Sequence, residues 1–241
     1  MKQIAIIIPA LNEAGNIGRL VKATRAVVTT DDLLKASVTV DIVVVDNGST
    51  DDTANEATQA GAMIIHEGRR GYGYACAAGV QAADKADIVV FMDGDFSTLP
   101  EELPSLLHPL LEGDADLVLG SRLKGYIEPG AMPPHQRFGN WLVSWLMRLL
   151  YKIDVTDLGP YRAIHVPLLK QLQMQEMTFG WPTEMMVKAA RQQVKIIEVP
   201  VSWHSRQAGR SKVSGTVKGT ILATYFILGV TLRYAWGTAK T

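Results

Sequence analysis

The chain has 241 residues, 47% of them hydrophobic, enough for a sizeable core in one large domain or two small ones. Its 24 Lys and Arg balance 24 Asp and Glu, so no global charge draws it to nucleic acid or acidic lipid, and any anionic partner must be met by a local cluster. The single Cys76 excludes an internal disulfide and a multi-cysteine metal centre and fits a reducing, cytoplasmic compartment, while the five histidines show no metal-type spacing.

In "MKQIAIIIPALNE" the apolar stretch is too short for a signal peptide, and "IAIII" reads as a first buried strand. A helix is expected from about Asn16. "VDIVVVD" is a second strand, followed by a helix that starts in "STDDTANEATQAG". "AMIIHE" precedes a helix around "GYACAAGVQAAD", and "ADIVVFMD" precedes one around "LPEELPSLLHPLLEG"; "ADLVLGS" closes the series. Continuous Val/Ile runs mark strands buried on both faces. Their alternation with helices predicts an α/β fold: a doubly wound, mostly parallel sheet flanked by helices. Such sheets bind ligands beyond the C-terminal strand ends. Asn12, Glu13, Asp46 to Asp51, the 68–73 loop, Asp93, Asp95, Ser121 and Arg122 all fall on that rim.

The second half changes character. "PHQRFGNWLVSWLMRLLYKI" (134–153) carries Trp141, Leu142, Trp145, Leu146, Leu149 and Leu150 at helical spacing, flanked by Arg137, Arg148 and Lys152. The stripe suits either a core helix or one lying at a membrane surface. The pattern divides the chain into a main domain over 1–215 and a C-terminal apolar or amphipathic helix over 216–241. Residues 219–232 are uncharged, a run shorter than the roughly 20 needed to span a bilayer. That leaves burial, a membrane interface or a contact with another chain, such as a second copy.

Three stretches carry chemistry. "VVVDNGSTDDT" puts Asp46 at a strand end, followed by a capped turn into a helix. An acid there serves the joint or accepts hydrogen bonds from a nucleoside. In "EGRRGYGYACAAG" the glycines are a weak phosphate-loop signal, and Arg69 and Arg70 suit a diphosphate or, equally, a solvated basic loop. In "FMDGDFS" Asp93 and Asp95 alternate along extended chain and share a face, roughly 7 Å apart. Two such carboxylates repel unless a cation compensates, and an oxygen-only pair favours Mg²⁺ or Mn²⁺ bridged to substrate phosphates.

The order "IIIPALNE", "VVVDNGSTDDT", "MDGDFS", "GSR" resembles the family 2 glycosyltransferases, which have the GT-A fold and bind nucleotide sugars. "DLGPYRAI" (157–164), "GWPTEMMVKA" (180–189) and "VPVSWHSRQAGRSKVSGT" (199–216) look like the dolichyl- and polyprenyl-phosphate sugar synthase branch. The resemblance implies that Pro9, Asn12 and Glu13 line the nucleotide pocket and that Asp46 is the nucleoside-binding acid. It implies a metal on Asp93 and Asp95, Arg122 near the sugar and acceptor phosphate, and a basic phosphate loop of Arg206, Ser211 and Lys212. This chain departs from the pattern at Ser97, where a longer ligand is common, and at Asn47, where a second acid is common.

Charge then dictates mechanism. A divalent ion with Arg206 and Lys212 stabilises the leaving diphosphate. A lipid-phosphate acceptor, the favoured partner, is already anionic and needs positioning rather than a base. That reading places the protein peripherally at the cytoplasmic membrane face. A soluble hydroxyl acceptor would need a carboxylate base, for which Glu184 or Asp157 is the candidate. A nucleotidyltransferase or nucleotide-binding regulator is the remaining alternative, disfavoured by the lack of a Gly-rich, lysine-bearing first loop.

Overall fold

The computed structural model describes residues 1–207 and the helix Val217–Trp236, whose side chains are described from 225 to 235. Seven strands, β1 (Lys2–Ala10), β2 (Val38–Asp46), β3 (Met63–His66), β4 (Ile88–Phe91), β5 (Leu117–Ser121), β6 (Arg162–His165) and β7 (Ile196–Pro200), form one sheet. Their order is β3-β2-β1-β4-β6-β5-β7. β1 pairs in parallel with β2 and β4, β2 with β3, and β5 with β7, whereas β6 runs antiparallel to both β4 and β5.

The first five strands lie where the Val/Ile runs predict them. The sequence reading ends the sheet at "ADLVLGS"; in the structure β6 separates β5 from β4, and β7 adds an edge beyond β5. Because β6 alone is reversed, its N-terminal end shares a rim with the C-terminal ends of the other six strands. The order also reverses between β1 and β4, which opens a crevice at that point.

Alternate residues of each strand feed two cores. Ile4, Ile6, Ile8, Val44 and Val90 meet α1 (Ile17–Thr30) and α5 (Leu103–Leu111) on one face. Ile7, Val45, Phe91 and Leu119 meet the other face with Cys76, Met147, Trp181 and Met185. Phe91 and Trp181 are edge-on, with ring centroids 6.4 Å apart. That second layer holds α4 (Tyr72–Ala82), α6 (Pro134–Tyr151), α8 (Trp181–Arg191) and α9 (Val217–Trp236). α9 lies against α6 and α8, and Tyr151 Oη donates to the Thr231 carbonyl at 2.5 Å. No helix among the described residues is long and apolar enough to cross a membrane.

Gly73 fixes how α4 meets its neighbour. A Cβ there would lie 2.5 Å from the Glu176 carbonyl and from the Met177 Cα, both backbone atoms that cannot step aside. Gly73→Ala is therefore expected to cost about 1–3 kcal/mol through overpacking, read as a lower denaturant midpoint at unchanged m-value. An unchanged midpoint would contradict this packing.

Candidate active site

Loops from the ends of β1, β2, β3, β4, β5 and β7 converge on the crevice. After β1 the chain turns through Asn12, at φ +51°, whose backbone N–H donates to Ser49 Oγ at 2.9 Å and whose Oδ1 accepts from the Thr50 N–H at 2.8 Å. Asn12 thus ties the first loop to the second. Asp46 ends β2 and is buried; its Oδ1 accepts from the Ser49 N–H at 2.9 Å, and its Oδ2 lies 3.2 Å from His66 Nδ1. Asn47 supplies two donors, to the carbonyls of Glu67 (3.0 Å) and Arg69 (2.7 Å), and accepts from the Gly71 N–H (3.0 Å). An aspartate could not make the two donations. The exchange that reads in sequence as a lost charge is a clamp on the 67–71 loop.

That loop separates the two arginines. Arg70 lines the crevice. Arg69 does not: it is bidentate to Glu67, at 2.9 and 2.7 Å, and stacks on the Tyr74 ring at 4.5 Å. The hydrogen bonds from Arg69 hold the Glu67 carboxyl down at about 2.

At the centre, Asp93 and Asp95 follow β4 and line a cavity of about 770 Å³ together with Pro9, Glu13, Arg70, Arg122 and Arg206. Arg206 bridges two loops, with Nη1 at 2.8 and 2.7 Å from the Glu13 carboxylate oxygens and Nη2 at 3.0 Å from Asp95 Oδ2. Asp95 Oδ1 accepts from the Ser97 N–H at 3.1 Å. Burial, then the neighbouring Asp95 charge, pushes the Asp93 carboxyl up to about 7, against the pull of Arg122 and Arg206. A pair of like-charged oxygen ligands short of counter-charge fits a hard divalent cation. Among the described residues no third His, Cys, Asp or Glu completes a metal-binding group. Ser97 Oγ is buried without a partner and does not line the cavity.

Arg122, after β5, is the most constrained cation. Its Nε and Nη2 meet Asp157 at 2.7 Å each, its backbone N–H meets the same carboxylate at 2.8 Å, and its guanidinium stacks on Trp203 at 4.7 Å. Burial alone would raise the Asp157 carboxyl, but Arg122 outweighs it and the pKa is lowered. Glu198, a buried acid in β7, accepts from the N–H groups of Thr156 (2.7 Å) and Asp157 (3.1 Å) and pairs with Lys124 at 3.0 Å. It holds the loop that holds Arg122. Glu198 and Trp203 escape the sequence reading, although an acid inside the apolar "IIEVP" is itself a signal that something pairs with it.

The remaining cavity wall is apolar and helical: Leu142 and Val143 from α6, Phe179, and Phe226, Ile227 and Leu228 from α9. His135 and Asn140 add polar groups from α6. The expected Trp/Leu stripe of α6 is split. Trp141 (58% exposed), Trp145 and Leu149 face outward with Phe138 (62%); Leu142, Leu146 and Leu150 are half-buried, and the buried face is instead that of Val143 and Met147. Met132 is buried, and Trp203 Nε1 donates to the preceding Ala131 carbonyl at 3.3 Å.

Of the residues anticipated from sequence, the structure thus brings Pro9, Glu13, Arg70, Asp93, Asp95, Arg122 and Arg206 to one cavity. Asn12, Asp46 and Asp157 stand behind it as supports. Ser211 and Lys212 lie outside the described residues. Glu184 lies elsewhere. It is fully buried at the start of α8, accepting from the N–H groups of Gln175 (2.9 Å) and Glu176 (2.7 Å), from Lys188 (2.8 Å) and from Tyr234 Oη (2.7 Å). Those bonds outweigh burial and lower its pKa. The arrangement is an anchor for α9, reinforced by Lys188 over the Tyr234 ring at 5.2 Å and by Arg191, which donates to the Tyr234 carbonyl at 2.6 Å.

A carboxyl whose folded pKa is depressed stabilises fully above its unfolded pKa, about 4.3, and loses that contribution as pH falls through the folded value. Glu184→Gln should therefore lower the melting temperature at neutral pH and flatten its decline on acidification. A wild-type-like melting curve at every pH would refute the anchor.

The acidic crevice thus lies at the switch point of a mixed sheet, with cations beside it. The chain belongs to glycosyl transferase family 2, whose profile matches residues 5–198. It is 35% identical over 223 residues to an uncharacterized glycosyltransferase of Mycobacterium tuberculosis, covering 91% of this chain and 94% of the relative. It is 29% identical over 247 residues to the undecaprenyl-phosphate mannosyltransferase of Micrococcus luteus, covering 96% of each. Among solved structures, the fold matches glucosyl-3-phosphoglycerate synthase of Mycobacterium tuberculosis in complex with Mn²⁺, uridine diphosphate and phosphoglyceric acid. The TM-score is 0.74 at 22% identity, over 99% of this chain and 80% of that one.

Proposed function

We propose that the protein is a metal-dependent, inverting glycosyltransferase that moves a sugar from a nucleotide-diphosphate sugar to a polyprenyl-phosphate-like lipid at the cytoplasmic face of a membrane. The observation that carries this reading is the cavity itself, which starts at Asp93, Asp95 and Arg122 and continues between the apolar walls of α6 and α9. The name of the Micrococcus luteus relative supports a lipid-phosphate acceptor. The ligands in the structural neighbour support Mg²⁺ or Mn²⁺ and a uridine donor.

In the proposed reaction an acceptor phosphate oxygen bonds to the anomeric carbon as the bond from that carbon to the donor diphosphate breaks, the electron pair leaving with the diphosphate. Asp93 and Asp95 would hold a divalent ion, which would supply neutralising charge for that diphosphate. Arg70 and Arg206 border the same space and add to it. Arg122, immobilised by Asp157 and Trp203, orients the anionic acceptor. No proton has to be removed from a phosphate dianion. This suits a site in which Asp157 is committed to Arg122 and Glu184 to α9, so that neither acts as the base a hydroxyl acceptor requires.

The outer face of α6 supports the membrane contact. Phe138, Trp141, Trp145 and Leu149 are exposed beside Arg137, Arg148 and Lys152, the helix carries no acid, and Tyr225 and Leu232 of α9 are exposed as well. Aromatic and basic side chains of this kind suit the headgroup level of an anionic bilayer. A soluble phosphorylated acceptor is the second reading, favoured by the same fold in a synthase crystallised with phosphoglyceric acid.

A nucleotide-sugar screen by thermal shift with Mn²⁺ identifies the donor. With that donor, transfer to undecaprenyl phosphate and flotation with anionic vesicles are expected. A protein that stays in the soluble fraction and ignores lipid phosphates overturns the lipid reading. Asp95→Ala should reduce turnover by roughly 100-fold or more while leaving the fold intact; full activity in that variant, or in excess chelator, rules out the metal role.

A further inference from the structure

Arg162 is the first residue of β6, paired in the ladder with Phe91 and Leu119, and is only 1% exposed. Its Nη1 donates to the Pro182 carbonyl at 2.7 Å and its Nη2 to the Gly159 carbonyl, while Nε has no partner. No carboxylate among the described residues forms an ion pair with it. Asp157, whose charge acts on it, is already bidentate to Arg122. Burial lowers its pKa to about 10, which leaves it charged at neutral pH. A buried guanidinium without a carboxylate partner is costly, and its two hydrogen bonds to carbonyls leave the charge itself uncompensated.

Its surroundings say what the charge is for. Leu158, Pro160 and Pro182, on either side of the two carbonyls it holds, line the cavity, as does Tyr72. The guanidinium therefore sits one residue layer behind the wall, on the side of Asp93 away from Pro9 and Asn47. Gly159 is pressed against the sheet, since a Cβ there would lie 2.5 Å from the Gly120 carbonyl, so the clamped loop has little room to shift.

We propose that Arg162 is a positioning residue for an anionic acceptor: a fixed positive charge behind the wall whose counter-charge arrives with the acceptor phosphate, and a clamp that keeps the 158–160 and 179–182 walls at fixed spacing. The proposal rests on the reading that the acceptor nucleophile is a phosphate, but not on whether that phosphate is carried by a lipid.

The test compares wild type with Arg162→Met and Arg162→Lys for melting temperature, for KM of the donor, and for kcat and KM with undecaprenyl phosphate and with 3-phosphoglycerate. For Arg162→Met we expect a lower melting temperature, because two carbonyls lose their donor, an unchanged donor KM, and a kcat/KM for the phosphate acceptor lower by roughly 100-fold. Arg162→Lys should recover a large part of that loss, because it keeps the charge but not the two-carbonyl fork. Should Arg162→Met fail to fold, Arg162→Lys decides: an acceptor-specific loss at wild-type stability supports the proposal, and wild-type kinetics overturns it. A drop in melting temperature with equal losses for donor and acceptor, or equal activity in Met and Lys variants, also overturns it. A wild type that transfers to neither phosphate acceptor overturns the phosphate reading and this proposal together.

Discussion

Among the described residues, the crevice between β1 and β4 crowds three carboxylates together, and the cations beside them leave one of these raised in pKa. Glu13 arrives from the β1 loop and Asp93 and Asp95 from the β4 loop, all at a partly desolvated point where like charges repel strongly. One guanidinium, Arg206, is shared between Glu13 and Asp95. The second cation at hand, Arg122, is already held by Asp157. Asp93 is left with its carboxyl raised to about 7. Much of the architecture follows from supporting this cluster: Asn12 and Asn47 lock the loops around it, and Glu198 secures the loop that secures Arg122.

What was legible in the sequence was what continuous hydrophobicity announces. β1 to β5 are runs of Val, Ile and Leu, and the residues just beyond them fall on the rim by geometry, which is why Glu13, Asp93, Asp95 and Arg122 could be named in advance. β6 and β7 are short, and β7 carries Glu198 in its middle. Neither declares itself, and the insertion of β6 between β4 and β5 is a long-range pairing that local propensity does not encode. That insertion has consequences for the site, because only a reversed strand brings Asp157 and Arg162 to the same rim as the ends of parallel strands.

Within loops, the sequence left neighbours indistinguishable. Arg69 and Arg70 are adjacent basic residues in a glycine-rich stretch, and only the folded path of the loop gives one to Glu67 and the other to the cavity. Glu184 shows the same limit in a helix. An acid at a first turn is read equally well as dipole complement or as catalytic base. The structure has it meet Tyr234, 50 residues away in sequence, and so commits it to docking α9.

The division of labour between sheet and helices explains why fold alone does not name the acceptor. The groups proposed to meet the donor sit on strand ends, whose positions are set by the ladder. The side proposed for the acceptor is walled by α6 and α9, whose placement depends on side-chain contacts such as those of Tyr151 with Thr231 and Tyr234 with Glu184. α6 turns Val143 to the cavity and Trp141 and Trp145 to the exterior, so one helix couples the shape of the cavity to whatever covers its outer face. A surface that reoriented α6 would alter the acceptor wall without moving Asp93 or Asp95, because those two are carried by a strand buried in the middle of the sheet. On the proposed reading, the acceptor wall therefore answers to what covers α6, while the site of the donor diphosphate does not.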